Sequence, residues 1–173
     1  MVLGSMLAAL SLAINFTFIY LIPSNGTFRL PLYAIPLILA SVILGKYNGI
    51  IVAIVCDFIF GMLNPYGFLP LYSFAAISWG FWSGFFCNKK YSLVRLSIGV
   101  YISYLCATTT NSITNYVYYG KIVAMSTFFL RILVLVVSTP ILIFITHQIY
   151  VRVKNLVYLE SKIKTESEIL ING

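Results

Sequence analysis

The sequence predicts an all-α integral membrane protein with six transmembrane helices and both termini on one side of the bilayer. Of the 173 residues, 61% are hydrophobic and 9% are charged, against roughly 25% charged in ordinary soluble domains. A soluble core of this size cannot bury that much apolar surface, so the bilayer is expected to cover it. The apolar residues also fall into six runs, and the basic residues between these runs are unevenly distributed.

The six apolar runs are separated by turns rich in Pro, Gly, Asn and Lys. The second and third runs are short for a hydrocarbon layer of about 30 Å at about 1.5 Å per residue, and Pro36 interrupts the second. Short helices with a proline often line a cavity instead of facing lipid throughout. The membrane domain is predicted to cover 1–159, with a cytoplasmic tail over 160–173. The predicted helices are 2–22, 30–45, 48–63, 68–86, 96–118 and 123–151.

The basic residues predict the orientation. With six spans, Arg29, Lys121 and Arg131 fall in the half away from the termini. Cytoplasmic segments carry the excess of Lys and Arg in membrane proteins, so both termini are predicted to be cytoplasmic. The eight basic residues on the terminal side are Lys46, Lys89, Lys90, Arg95, Arg152, Lys154, Lys162 and Lys164.

Composition and motifs argue against catalysis, metal binding and nucleic-acid binding. His147 is the single histidine of the chain, and no Glu-x-x-His motif or glycine-rich phosphate loop is present. Cys56, Cys87 and Cys106 are scattered and odd in number, which predicts free thiols. No basic cluster lies on a soluble surface, as nucleic-acid binding would require. We therefore expect no enzyme activity and no cofactor, and uphill transport would need an ATPase on another subunit.

Two charged side chains, Asp57 and Arg131, lie well inside apolar runs. A lone charge at bilayer depth costs about 2.5–3.5 kcal/mol or more, so it is usually paired or faces a wet cavity. Three interpretations of Asp57 stay open: a structural pair with Arg131 or another polar group, a brace of a ligand cavity, and a proton-coupling group. Arg131 shares the outer half with Arg29 and Lys121, which predicts a site for an anionic or zwitterionic ligand. Alternatively, the long side chains of Arg29 and Lys121 place their charges at the membrane interface and bind no ligand.

Polar and aromatic side chains near the outer ends of the fourth and fifth runs add further candidates. Asn111 and Asn115 share one helix face within a run of Thr and Asn residues, and they bond either to other helices or to a ligand. Tyr66, Phe68 and Tyr72 either stack on a flat heterocycle or belong to the interfacial aromatic belt. The candidate substrate-binding residues are Arg29, Tyr66, Phe68, Tyr72, Asn111, Asn115, Lys121 and Arg131.

Several short motifs follow one another along nearly the whole chain. They are Arg29-Leu30-Pro31, Gly45-x-x-x-Gly49, Asp57-x-x-x-Gly61, Pro65-Tyr66-Gly67-Phe68-Leu69-Pro70, Gly80-x-x-x-Gly84, the Thr and Asn run, Tyr118-Tyr119-Gly120, and Arg131 before Pro140. In this order they resemble the substrate-binding S-components of energy-coupling-factor transporters, most closely the folate-type branch. Lys46 stands where that branch usually has proline, and fewer glycines than usual follow Pro65.

The resemblance implies a six-helix S-component in a bacterial cell membrane that captures a vitamin, in the first place folate, from outside. Its partners would be a transmembrane coupling subunit and two ATPase subunits, and Ala9 and Ala13 would contact the coupling subunit. Pantothenate, pyridoxine and hydroxymethylpyrimidine are the alternative ligands. A scaffold subunit without ligand and an autonomous proton-coupled carrier are the alternative functions.

The resemblance also implies roles for the candidate residues. Arg29, Lys121 and Arg131 would bind the glutamate carboxylates of a folate. Asn111, Asn115 and the aromatic residues at the start of the fourth run would lie near the pterin. Apart from the resemblance, the position of Asp57 nearer the middle of the bilayer, without an acidic companion, predicts that it braces the floor of the cavity while Arg131 contacts the ligand.

Overall fold

The computed structural model is all-helical over the residues that it describes, which are 2–21, 31–63, 67–87 and 91–172. Side chains are described within these ranges except at 19–21 and 156–172. Arg29 and Tyr66 therefore lie outside the described residues. The helices are α1 (Val2–Leu21), α2 (Ala34–Leu44), α3 (Lys46–Leu63), α4 (Pro70–Cys87) and α5 (Leu93–Asn172).

Helix α5 consists of two arms, 93–119 and 121–172, separated at Gly120. The backbone of Gly120 has φ 84° and ψ 174°, a conformation that glycine adopts readily because it has no Cβ. Tyr91, just before the first arm, hydrogen-bonds through its hydroxyl to His147 Nδ1 at 2.6 Å. The second arm therefore runs back along the first. The turn predicted at Gly120 is confirmed, and the described chain has six helical segments in the predicted order.

The closest packing in the described bundle is the contact of α2, α3 and α4 near one end. A Cβ on Gly49 would lie 2.6 Å from the carbonyl oxygen of Gly80 and 2.7 Å from Ser41 Cα. A Cβ on Gly84 would lie 2.6 Å from the carbonyl oxygen of Ser41. Such small residues let helix backbones approach directly, which is the usual packing device of membrane helices. Trp79 on α4 is 1% exposed and fills the adjoining core.

Two helical stretches in the described chain, Lys46–Leu63 and Leu93–Asn155, are long and apolar enough to cross a membrane. The second stretch includes the break at Gly120, so it comprises the first arm of α5 and the second arm as far as Asn155. Val2–Phe18 and Ala34–Leu44 are apolar but shorter. These stretches indicate membrane association. The predicted number of spans and their orientation remain predictions.

The outer surface of the described bundle is strongly apolar. Ile122 is 86% exposed, Phe129 79% and Val136 65%. Soluble monomers seldom expose large contiguous apolar patches, so this surface fits a hydrocarbon environment. The backbone of the predicted tail continues α5 as helix to Asn172.

Candidate functional site

Asp57 lies in the second half of α3 and faces the beginning of α4. Its Oδ2 accepts a hydrogen bond from Ser73 Oγ at 2.6 Å. Neither Asp57 nor Arg131 has a salt-bridge partner within the described part of the chain. The pairing of these two charges is therefore wrong as an account of this structure, because each residue lies in a separate polar cluster.

A small cavity lies directly beside Asp57. Its volume is about 20 Å³, which is room for one water molecule. Four helices contribute to its wall, and Asp57 is part of that wall. The polar lining residues are Ser11, Asn15, Tyr33 and Asp57.

The second polar cluster joins α4 to both arms of α5. Tyr72 donates its hydroxyl hydrogen to Asn115 Oδ1 at 2.5 Å, and its ring stacks on Tyr118 at 6.5 Å between centroids. Arg131 on the second arm lies near the phenols of Tyr72 and Tyr33. Its Nη1 is buried and has no hydrogen-bond partner among the described residues. This cluster thus combines a cationic donor with hydrogen-bonding and aromatic groups.

Tyr33, at the start of α2, connects the two clusters. It lines the cavity beside Asp57 and is also close enough to Arg131 for electrostatic interaction. Its carbonyl oxygen accepts a hydrogen bond from Ser11 Oγ at 2.8 Å, which fixes the beginning of α2 against α1. Because Tyr72 and Ser73 are consecutive, α4 also connects the clusters through neighbouring side chains.

Most hydroxyl groups in the Thr and Asn run of α5 bond within their own helix. Thr109, Thr110, Ser112 and Thr114 each donate to a carbonyl oxygen four residues earlier, at 2.8 Å in each case. Such back-bonding satisfies a hydroxyl without any partner helix or ligand. Asn115, which is 6% exposed, instead accepts a hydrogen bond from Tyr72 on α4. Asn111 is half-buried one turn away on the same face.

Two other predicted substrate-binding residues, Phe68 and Lys121, make no described hydrogen bond or ring contact with the cluster around Arg131. Phe68 packs edge-on against Phe58 at 5.3 Å between ring centroids, and a Cβ on Gly61 would lie 2.6 Å from its ring. Lys121 is exposed directly after the break at Gly120. The described structure thus brings together Tyr72, Asn115 and Arg131, with Asn111 nearby, whereas Phe68 packs on Phe58 and Lys121 faces outward.

The small residues predicted to contact a coupling subunit lie on the outward face of α1. Ala9 and Ala13 are exposed, whereas Gly4, Ala8 and Ser11 on the other face are buried. Within the described residues, Ala9 and Ala13 are therefore not buried against another helix of this chain.

Sequence reasoning did not find Ser11, Asn15, Tyr33 or Ser73 as members of the polar clusters. Asn15 carried a usable signal, because an amide in an apolar run has the same cost in lipid as other unsatisfied polar groups. Ser73 and Tyr33 carried none, since serine and tyrosine near helix ends are common. Their positions depend on how α2 and α4 pack against α3.

The described residues contain no group of three or more His, Cys, Asp or Glu placed to hold a metal ion. The thiol of Cys56 beside Asp57 donates to the carbonyl oxygen of Ala8 at 3.5 Å. The arrangement presents one carboxylate, Asp57, and one guanidinium, Arg131, that do not pair with each other and lie in the same half of the bundle. Such groups can bind polar or charged molecules.

No protein-family model, curated protein or solved structure matches this chain.

Proposed function

We propose that this chain is the substrate-binding S-component of an energy-coupling-factor importer, and that it captures a vitamin, in the first place folate, from outside the cell. The proposal comprises six transmembrane segments, both termini in the cytoplasm and a ligand site in the outer half. Support comes from the order of sequence motifs and from the position of the cluster around Arg131.

The observation that carries the proposal is the buried, unpartnered Nη1 of Arg131. A buried donor without a partner costs free energy, and more so when it is charged. A carboxylate of the ligand would supply the missing acceptor and the opposite charge, with paired hydrogen bonds to the guanidinium. Tyr72 and Asn115 already bond to each other and would position the neighbouring part of the ligand.

The size of the cavity imposes a condition on the proposal. The space beside Asp57 is about 20 Å³, whereas pockets for drug-sized ligands have about 300–1,000 Å³. Binding a vitamin between α4 and the arms of α5 therefore requires these helices to separate. The structure would then correspond to a closed state without ligand.

The outward face of α1 supports the proposed partner. Ala9 and Ala13 are exposed, and small side chains permit a helix of another subunit to approach closely in a membrane. A coupling subunit that packs there would connect this chain to the two ATPase subunits. Those subunits would hydrolyse ATP, since this chain has no phosphate-binding loop of its own.

The test is calorimetry of the purified chain with folates, pantothenate, pyridoxine and thiamine. We expect one anionic member to bind, and Arg131→Ala to weaken it tenfold or more, since a hydrogen bond to a charged group contributes about 1.5–3 kcal/mol. Arg131→Lys should retain part of the affinity because it keeps the charge. Arg152→Ala, at the opposite end of the second arm, is the control and should leave the affinity unchanged.

The alternative functions give different outcomes. A scaffold subunit would bind none of the four vitamins, and the proposal would then lose its basis. An autonomous proton-coupled carrier would transport the ligand alone in liposomes and lose transport in Asp57→Asn. On the present proposal, uptake occurs when the coupling and ATPase subunits are reconstituted with this chain and ATP.

A further inference from the structure

Basic side chains gather at one end of the described bundle. Lys46 is the first residue of α3, and its Cα would lie 3.1 Å from a Cβ on Gly84, near the end of α4. The stack of Tyr91 on Tyr150 brings the far part of the second arm of α5 to the beginning of the first arm. The basic residues at this end are exposed or half-buried, and we call them the basic end: Lys46, Arg95, Arg152 and Lys154.

The sequence provides little negative charge to compensate the basic end. Asp57 follows Lys46 by eleven residues and so lies about 16 Å farther along α3. The other acidic residues of the chain are three glutamates between 160 and 168, where two lysines accompany them. Such an excess of one sign of charge attracts molecules of the opposite sign.

Two aromatic rings hold the ammonium group of Lys46. Its Nζ lies 5.0 Å from the centroid of the Tyr47 ring and 5.4 Å from the centroid of the Phe85 ring, within the range of cation–π attraction. Phe85 also stacks on Phe81 at 5.6 Å between centroids and packs edge-on against Trp82 at 6.1 Å. Tyrosine and tryptophan are typical of the membrane–water interface. The charge of Lys46 is therefore held beside an interfacial type of aromatic cluster.

An exposed apolar stripe leads away from this ammonium group along α3. Its members recur at helical spacing and share one face of the helix. From Tyr47 to Met62 the stripe extends about 22 Å, which exceeds half of a hydrocarbon layer of about 30 Å. The side chains of the stripe are 43–70% exposed, and they are Tyr47, Ile51, Ile54, Val55, Phe58 and Met62.

We propose that Lys46 and the α3 stripe form a binding site for one anionic phospholipid, with its phosphate at Lys46 and its acyl chains along the stripe. The ammonium group donates charge-assisted hydrogen bonds to the phosphate. The other residues of the basic end add a positive field, which favours a headgroup of net negative charge. A choline headgroup fits less well, because Lys46 already occupies the faces of Tyr47 and Phe85 that would attract its ammonium.

The surface fits a lipid better than a partner protein. An acidic protein segment would match the charge of the basic end but not the apolar stripe, which continues along α3 to Met62. A phospholipid matches both, because it joins an anionic headgroup to apolar chains. The site lies away from the cluster around Arg131 at the other end of the bundle, so it does not depend on the proposed function or on the proposed orientation.

The test is thermal unfolding of the purified chain, without vitamin, in neutral detergent micelles that contain phosphatidylglycerol or phosphatidylcholine with the same acyl chains at the same mole fraction. A ligand that binds only the folded state raises Tm. We expect Tm in phosphatidylglycerol to be higher by about 2–4 °C at low salt. The difference should shrink at high NaCl, because salt screens exposed charges. Equal Tm values in the two lipids at low salt would overturn the proposal.

Inorganic phosphate in micelles without lipid is the second arm of this test. It carries the charge of the headgroup but has no acyl chains to cover the stripe, so it should not reproduce the rise in Tm. An equal rise with inorganic phosphate would show that the basic end binds phosphate as such, and the lipid proposal would be wrong.

Variants locate the site. Lys46→Gln should remove about half or more of the difference between the two lipids, because it removes the charge that contacts the phosphate. The matched control Lys121→Gln removes an exposed lysine directly after the break at Gly120 and should keep the full difference. An equal loss in both variants would indicate a general charge effect and reject the site.

Two further outcomes keep the proposal open to rejection. Should Lys46→Gln fail to fold, Phe85→Leu replaces it: this variant keeps the charge but removes one ring that holds it, and it should reduce the lipid difference. An unchanged difference in Phe85→Leu would count against the site. If Lys46→Gln keeps the lipid response but weakens assembly with the coupling and ATPase subunits, the basic end is a protein interface and the lipid proposal is wrong.

Discussion

The two ends of the bundle are packed differently, by backbone contact at one end and by polar side chains at the other. At the closed end, which we define by Ser41, Gly49, Gly80 and Gly84, the backbones of α2, α3 and α4 touch with almost no side chain between them. At the polar end, which we define by Tyr33, Asp57, Tyr72, Ser73, Asn115 and Arg131, polar side chains join the helices through hydrogen bonds. A one-water cavity lies at this end.

The comparison shows where the chain can move. Backbone contacts through glycine have no side chain that can change rotamer, so the closed end resists separation. The polar end is held by a few hydrogen bonds, each with a net contribution of about 0.5–1.5 kcal/mol, and it keeps a buried guanidinium nitrogen unsatisfied. If the proposed ligand binds between these helices, we expect the polar end to open while the closed end stays in place.

The largest expected effect comes from Gly80→Ala at the closed end. The added Cβ would collide with the backbone carbonyl of Gly49 and lie 3.1 Å from Ala53 Cβ. Because backbone atoms cannot rotate away, α3 and α4 have to separate. We expect a loss of about 3 kcal/mol in the free energy of unfolding, or about 6–12 °C in Tm, measured by thermal denaturation in detergent.

Gly4→Ala is the matched control for this prediction. Its Cβ would lie 3.5 Å from Leu44 Cδ1 and from Val52 Cγ2, an ordinary van der Waals distance, and alanine favours the helix by up to about 1 kcal/mol. Tm should therefore stay equal or rise slightly. A similar loss of stability in both variants would mean that the closed end is not held by backbone contact.

A smaller effect is expected from Tyr72→Phe at the polar end. The substitution removes the hydrogen bond to Asn115 Oδ1 and leaves a buried amide oxygen without this partner, at a cost of about 1–3 kcal/mol. Tm should fall by less than in Gly80→Ala. Tyr119→Phe, whose residue is 48% exposed, should leave Tm unchanged.

Tyr72→Phe also tests the difference between the two ends through ligand binding. If the polar end holds the ligand, this variant should weaken binding of the vitamin identified by calorimetry, whereas a closed-end variant that folds should not. Loss of stability without any change in affinity would assign Tyr72 to packing alone.

The helix boundaries were largely predictable because they depend on local signals. The six apolar runs and the turn at Gly120 agree with the helical segments within a few residues, except that the last helix continues to Asn172, well beyond its predicted end at 151. The sequence indicated that Asp57 and Arg131 each need a polar or charged partner, but it did not identify which residue that partner is. Ser73 sits 16 residues beyond Asp57, and the contact depends on the rotation of α4 against α3, which apolar periodicity leaves undetermined.

For the Thr and Asn run, the sequence predicted more contacts with other groups than the structure shows. Its density predicted a polar surface toward protein or ligand, whereas most of its hydroxyl groups are satisfied by the helix's own carbonyl oxygens. Composition counts polar groups and does not reveal whether they are already bonded. Asn115 differs because an amide on this helix reaches Tyr72 on α4.

The smallest expected effect concerns Tyr91, which lies between α4 and α5 beyond the closed end. Its ring stacks on Tyr150 at 3.8 Å between centroids, and burial, with the nearby Cys87 and Tyr150, raises the pKa of Tyr91 to about 12. The unfolded chain loses this proton near pH 10 while the folded chain keeps it. The contribution of Tyr91 to stability is thus unaffected below about pH 10 and declines as pH rises toward 12.

Tyr91→Phe should therefore lower Tm slightly at neutral pH, through loss of the hydrogen bond to His147, and should reduce the decline of Tm between pH 10 and 12. His147→Ala is the control because it removes the same hydrogen bond but retains the phenol, so its alkaline decline should match the wild type. The measurement is Tm against pH for the three proteins. Parallel alkaline declines in wild type and Tyr91→Phe would show that this end is open enough for Tyr91 to ionise as it does in the unfolded chain.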